Sequence, residues 1–141
     1  MKKIGYQVKR SHPGVFIRTT QTAVQAGFPS PADDFKEEGI DLDGLLINNK
    51  QSTFLVKVSG DSMLGVGIFP GDRLVVDRSL KPKHNSIVIA CIEGEFTVKR
   101  LVYKSQSWVL KPENKAYPTI KFRTDDDFIW GVVTYNLRKL A

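Results

Sequence analysis

A chain of 141 residues, 41% hydrophobic and 26% charged, is long enough for one domain with its own core and too short for two of ordinary size. A single cysteine, Cys91, excludes an internal disulfide framework and suits a reducing compartment. No apolar run approaches the ~18–20 residues of a membrane helix, and the basic start leads into no apolar leader segment, so a cytoplasmic location is expected.

The net charge of +6 is unevenly placed. Residues 1–26 carry Lys2, Lys3, Lys9, Arg10 and Arg18 and no acid, while the remainder sets 16 basic against all 15 acidic side chains. Basicity therefore belongs to an N-terminal arm, and the rest offers no electrostatic footprint for a phosphate backbone. Residues 1–31 are short on periodicity and contain His12-Pro13-Gly14 and Phe28-Pro29-Ser30-Pro31, which predicts an extended, loosely held arm. Residues 32–141 are expected to form the domain. An acidic stretch follows the arm, with Asp33, Asp34, Glu37, Glu38, Asp41 and Asp43 against Lys36. It reads as a solvated face or as a docking surface for the basic arm. Within it Asp41 is placed to cap a short helix whose Leu42, Leu45 and Leu46 face inward.

From residue 53 the pattern becomes β. Phe54, Val56 and Val58 alternate with Leu55 and Lys57, and Leu74-Val75-Val76 follows the turn Pro70-Gly71-Asp72. Ile87 to Ile92 and Phe96 to Tyr103 flank Glu93-Gly94-Glu95, a hairpin signal. Shorter runs at Trp108–Leu110, Thr119–Phe122 and Phe128–Tyr135 are separated by Pro112, Pro118 and Asp125-Asp126-Asp127. About seven short strands with almost no helical periodicity predict a compact, mainly β domain.

The two histidines, His12 and His84, lie in polar segments and read as solvated, which removes a Ser-His-Asp triad. Cys91, in the most apolar run, reads as a small buried hydrophobe. No metal-ligand spacing and no phosphate-binding glycine loop are present, so no metal or cofactor is expected. Ser59-Gly60-Asp61-Ser62-Met63 stands at the end of a strand, where a tight turn exposes the Ser62 hydroxyl. A short helical turn starting there would aim backbone N–H groups at a developing oxyanion. Lys99 lies between Val98 and Leu101, on one strand face with Thr97, Leu101 and Tyr103. Desolvation there would lower its pKa, as a lysine general base requires. These features permit a Ser-Lys pair without demanding one.

Several segments, in order over about four-fifths of the chain, resemble the UmuD-type proteins of the LexA/UmuD self-cleaving serine peptidase family. They are Ala26-Gly27-Phe28-Pro29-Ser30-Pro31-Ala32, Ser59-Gly60-Asp61-Ser62-Met63, Gly71-Asp72-Arg73-Leu74-Val75-Val76-Asp77, Gly94-Glu95-Phe96-Thr97-Val98-Lys99-Arg100-Leu101 and Gly131-Val132-Val133. The resemblance implies a twisted, mainly antiparallel β-sheet domain of the LexA/signal-peptidase type. It places the nucleophile on Ser62, the base on Lys99 and the scissile bond between Ala26 and Gly27. It further implies a homodimer, self-cleavage stimulated by the RecA–single-stranded DNA filament, and a product that joins a Y-family polymerase subunit of the UmuC type in translesion synthesis. No membrane contact and no sequence-specific DNA binding are expected. A LexA-like repressor would need a DNA-binding domain for which 26 residues are too few. A cleavage-inactive polymerase-binding module would lack the serine, the lysine or the bond, and a signal peptidase would be expected to carry a membrane anchor.

Overall fold

The structure, a computed structural model, describes residues 6–7, 16–20, 26 and 37–141. Among these, the strands are β1 (Tyr6–Gln7), β2 (Phe16–Thr20), β3 (Glu37–Asp41), β4 (Thr53–Lys57), β5 (Arg73–Asp77), β6 (Ile87–Ile92), β7 (Glu95–Lys104), β8 (Ser107–Lys111), β9 (Ile120–Lys121) and β10 (Phe128–Leu137). A single five-residue helix, α1 (Leu42–Leu46), follows β3, and a 3₁₀ turn spans Leu64–Val66. No helix among the described residues is long and apolar enough to cross a membrane.

The chain divides into two compact units. Met1–Lys9 with Asn49–Ala141 forms the larger, and Arg10–Asn48 the smaller. The boundary expected between residues 31 and 32 lies outside the described residues. In the smaller unit, β2 and β3 pair antiparallel with Ile17 opposite Ile40 and Thr20 opposite Glu37. The backbone of the acidic stretch thus takes a segment of the basic arm as its ladder partner. Asp41 occupies the N-cap position of α1, but its side chain makes no capping hydrogen bond. Its Oδ1 is buried without a partner among the described residues. The expectation that Leu42, Leu45 and Leu46 face inward is corrected for Leu45, which is 48% exposed, while Leu42 and Leu46 are half-buried and no α1 residue is fully buried. Five residues make little more than one turn, too short to present an apolar stripe to a core.

The larger unit is one eight-stranded sheet in the order β1-β4-β5-β10-β6-β7-β8-β9. Every pairing in it is antiparallel. The continuous apolar run Ile87–Ile92 makes sense in the middle of this sheet, because both faces of β6 are covered. Ile89 joins a cluster with Val58, Met63, Ile68, Leu74 and Val76, against which Ile87, Phe96, Val98 and Trp130 pack. Val88 and Ala90, on the opposite face, join Leu101 and Leu110, with Ile92, Ile120 and Val132 packed alongside. Strands β7 and β10 each run ten residues, longer than the short strands expected from turn punctuation. β10 carries one register shift against each neighbour, at Val133/Tyr135 against β5 and at Ile129/Gly131 against β6. The first cluster matters most for function, because it anchors the turn that carries Ser62.

Candidate functional site

Strand β4 ends at Lys57, and the chain leaves it through Val58, which is 7% exposed. The loop 59–71 is pinched at its base: Val58 N–H donates to the Asp72 carbonyl at 2.8 Å and Gly71 N–H to the Val58 carbonyl at 2.9 Å. The Asp72 carboxylate, 2% exposed, locks that base further. It accepts from Phe69 N–H (2.8 Å), Asn136 Nδ2 (2.8 Å), Arg138 Nε (2.7 Å) and Arg138 Nη2 (2.6 Å). The Arg138 guanidinium holds this carboxyl far below the usual carboxylate range, against the opposing effect of burial. Gly60 takes φ +87°, the left-handed region a tight turn after a strand requires. Met63 is then 1% exposed in the first core cluster, beside Val58 and Ile68. Burying such a side chain is worth about 1.5–3 kcal/mol, and it pins the residue next to Ser62 while the serine itself stays half-buried.

Lys99 arrives from β7, opposite Val88 of β6. It is only 5% exposed. Its Nζ lies 2.9 Å from Ser62 Oγ, 2.6 Å from Thr97 Oγ1 and 3.0 Å from the Val98 carbonyl oxygen. Burial pushes its pKa below the ordinary lysine value. Among the described residues no carboxylate forms an ion pair with it. In the neutral amine, two N–H groups donate to Thr97 Oγ1 and the Val98 carbonyl, which leaves the lone pair for the Ser62 hydroxyl proton. This geometry permits an amine to remove the proton of a serine nucleophile.

Beside the pair lies a cleft of about 350 Å³ whose apolar wall comes from Val56, Val58, Leu74, Ile89, Phe96 and Val98, with Ser62 and Thr97 on its lining. Lys57, Ser59 and Glu95 also line it, so its walls are mixed in character.

The structure brings Ser62 and Lys99 together from positions 37 residues apart. Ala26 is exposed at a bend in the smaller unit, while Gly27 and His12 lie outside the described residues. His84 is exposed, its Nδ1 accepting the Tyr103 N–H at 3.0 Å, and Cys91 is 7% exposed within β6. Sequence reasoning placed Thr97 on the face of Lys99 but gave it no part in the site. It missed Glu113, Asn114 and Tyr117, which contact the serine turn from a loop some fifty residues away.

A mainly antiparallel β domain that sets a half-buried serine against a buried lysine, beside a cleft, has the elements of a serine peptidase site that works without histidine. The chain belongs to the Peptidase S24-like family, whose model matches residues 18–134. It is 44% identical over 116 residues to Protein MucA of Salmonella typhimurium, covering 81% of this chain and 79% of that protein. To Protein SamA of the same species it is 47% identical over 114 residues, with the same coverage. The LexA repressor of Anaeromyxobacter dehalogenans is 35% identical over 121 residues, which span 84% of this chain and 53% of the repressor.

Proposed function

We propose that this chain is a self-cleaving serine endopeptidase that removes its own N-terminal arm at the Ala26–Gly27 bond, with Ser62 as nucleophile and Lys99 as general base. The observation that carries the reading is the 2.9 Å contact between Ser62 Oγ and the Nζ of a lysine buried to 5% exposure. Neutral Lys99 takes the hydroxyl proton as Ser62 Oγ attacks the Ala26 carbonyl carbon. The carbonyl electrons move onto oxygen, where backbone N–H groups of the serine turn stabilise them. Collapse expels the Gly27 amine, which receives the proton from Lys99. Water then releases Ala26 from the ester, with Lys99 acting as base a second time. Small residues on both sides of the bond ease its entry into the cleft beside Ser62.

By family resemblance, the RecA–single-stranded DNA filament stimulates the cut in a homodimer. The shortened product then serves as accessory subunit of an error-prone Y-family polymerase in the damage response. Incubating purified protein with RecA, single-stranded DNA and nucleotide tests this. Wild type splits into two fragments and Ser62→Ala stays whole with an unchanged melting temperature. Cleavage of the Ser62→Ala protein at the wild-type rate removes Ser62 from the mechanism.

A further inference from the structure

The loop that follows β8 reaches back to the serine turn and is joined to it at four points. Glu113 N–H donates to the Ser62 carbonyl at 2.9 Å, and the Glu113 carbonyl accepts Gly65 N–H at 2.7 Å. This approach is so close that a Cβ on Gly65 would sit 2.7 Å from the Glu113 oxygen. Glu113 is itself tethered, since Arg100 Nε meets its Oε1 at 2.7 Å while Arg100 Nη1 donates to the Asn85 carbonyl at 2.8 Å. One residue on, Asn114 Nδ2 donates to the Asp61 carbonyl at 2.9 Å. The Tyr117 hydroxyl donates to Asp61 Oδ1, and that carboxylate raises the tyrosine pKa.

The Asp61 carbonyl and the Ser62 N–H belong to one peptide unit. In a planar trans peptide they point in opposite directions, so holding the oxygen aims the N–H. Among the described residues the Ser62 N–H has no hydrogen-bond partner. It belongs to the nucleophile's own residue, and a preorganised donor there stabilises a tetrahedral oxyanion. We propose that Asn114 is a positioning residue for the cleavage reaction, orienting the Asp61–Ser62 peptide so that the Ser62 N–H meets the oxygen of the scissile carbonyl. Tyr117 supports it by clamping the Asp61 side chain. This rests on the self-cleavage proposed above.

The substitution Asn114→Asp separates two roles. Asn114 Oδ1 also accepts the Ala116 N–H at 3.0 Å, a contact within its own loop. Aspartate keeps that acceptor and loses the donor to Asp61. Spontaneous cleavage is followed at a series of alkaline pH values in wild type, Asn114→Asp, Asn114→Ala and the milder Tyr117→Phe, with Ser62→Ala as the blank. Both Asn114 variants are expected to cleave about 10- to 100-fold more slowly, a positioning fraction of the 10²–10³ attached to a whole oxyanion donor. Tyr117→Phe, which removes one exposed hydroxyl, is expected to slow cleavage several-fold. The pH midpoint stays at the wild-type value in Asn114→Ala and Tyr117→Phe, which add no charge and leave the Lys99 contacts in place. An Asn114→Asp protein that cleaves at the wild-type rate overturns the assignment, as does a midpoint that moves in the uncharged variants. Wild type that does not cleave at all overturns both this inference and the reading beneath it.

Discussion

If Lys99 is the base, cleavage must follow its ionisation, and replacing it should alter stability in a predictable direction. An unperturbed lysine near ~10.4 is neutral in roughly one molecule in 2,500 at pH 7, and lowering the pKa by one raises that fraction about tenfold. The structure supplies the lowering through burial, with Lys99 5% exposed and no ion-pair partner among the described residues. The logarithm of the spontaneous rate should climb with a slope near one per pH unit, then level off below the ordinary lysine value. The same burial bears on folding. A lysine whose folded pKa is depressed binds fewer protons folded than unfolded between the two pKa values, so its burial costs most below the folded value. That cost shrinks as pH rises from the folded toward the unfolded value, by about 1.36 kcal/mol for every pH unit that separates them. Lys99→Met, of similar volume and uncharged, should therefore gain stability relative to wild type at pH 7, with the gap closing toward pH 10, while cleavage is abolished. Lys99→Arg, which keeps a charge that cannot be released in this range, should be inactive at every pH. The assays are intact-protein gels over pH 7 to 10 and denaturant melts at the two ends. A flat rate profile, a cleaving Lys99→Arg protein, or a Lys99→Met stability gap that widens with pH would refute the reasoning.

Two further outcomes follow from particular contacts. Thr97→Val keeps shape but removes the acceptor 2.6 Å from Lys99 Nζ, so cleavage should slow about tenfold or more while stability changes by no more than about 1 kcal/mol, as read from rate constants and urea melts. Asp72→Asn breaks a nearly buried pair with Arg138 and should cost about 3 kcal/mol in a urea melt, at the low end for such pairs because the arginine side chain is 36% exposed. Because the folded Asp72 pKa is depressed, its stabilisation is fully present above the unfolded value of ~3.9 and is lost as pH falls below it. Wild type should accordingly lose stability faster than Asp72→Asn as pH drops below 4. Equal acid sensitivity of the two proteins would count against this role for the pair.

The sheet was legible where local pattern and burial agree. The apolar run of β6, the Glu93–Gly94 hairpin and the alternation of β4 all carry period and turn signals, and the strands form where those signals lie. The hairpin between β7 and β8 gave no such sign. Its turn residues Ser105 and Gln106 adopt φ of 52° and 63°, conformations that glycine and asparagine announce and these residues do not. Leu45 misled because leucines spaced on a helix suggest an inner face, whereas a five-residue helix has none to offer. In the candidate site, Ser62 and Lys99 stood out through motif order and resemblance, and the shared face of Thr97 follows from the period of a strand. Asn114, Tyr117 and Arg138 could not be read, because their partners Asp61 and Asp72 lie 53 to 66 residues away and a polar loop residue looks alike whether solvated or engaged.

The most direct test of the whole account is the mass of what the protein becomes. Purified wild-type protein, held at alkaline pH without RecA and analysed intact, should resolve into a 26-residue fragment and a stable 115-residue product beginning at Gly27. Those two masses together, absent from Ser62→Ala and Lys99→Arg samples treated alike, are the predicted result. A product with any other N-terminus, or the same fragments from the Ser62→Ala protein, would contradict it.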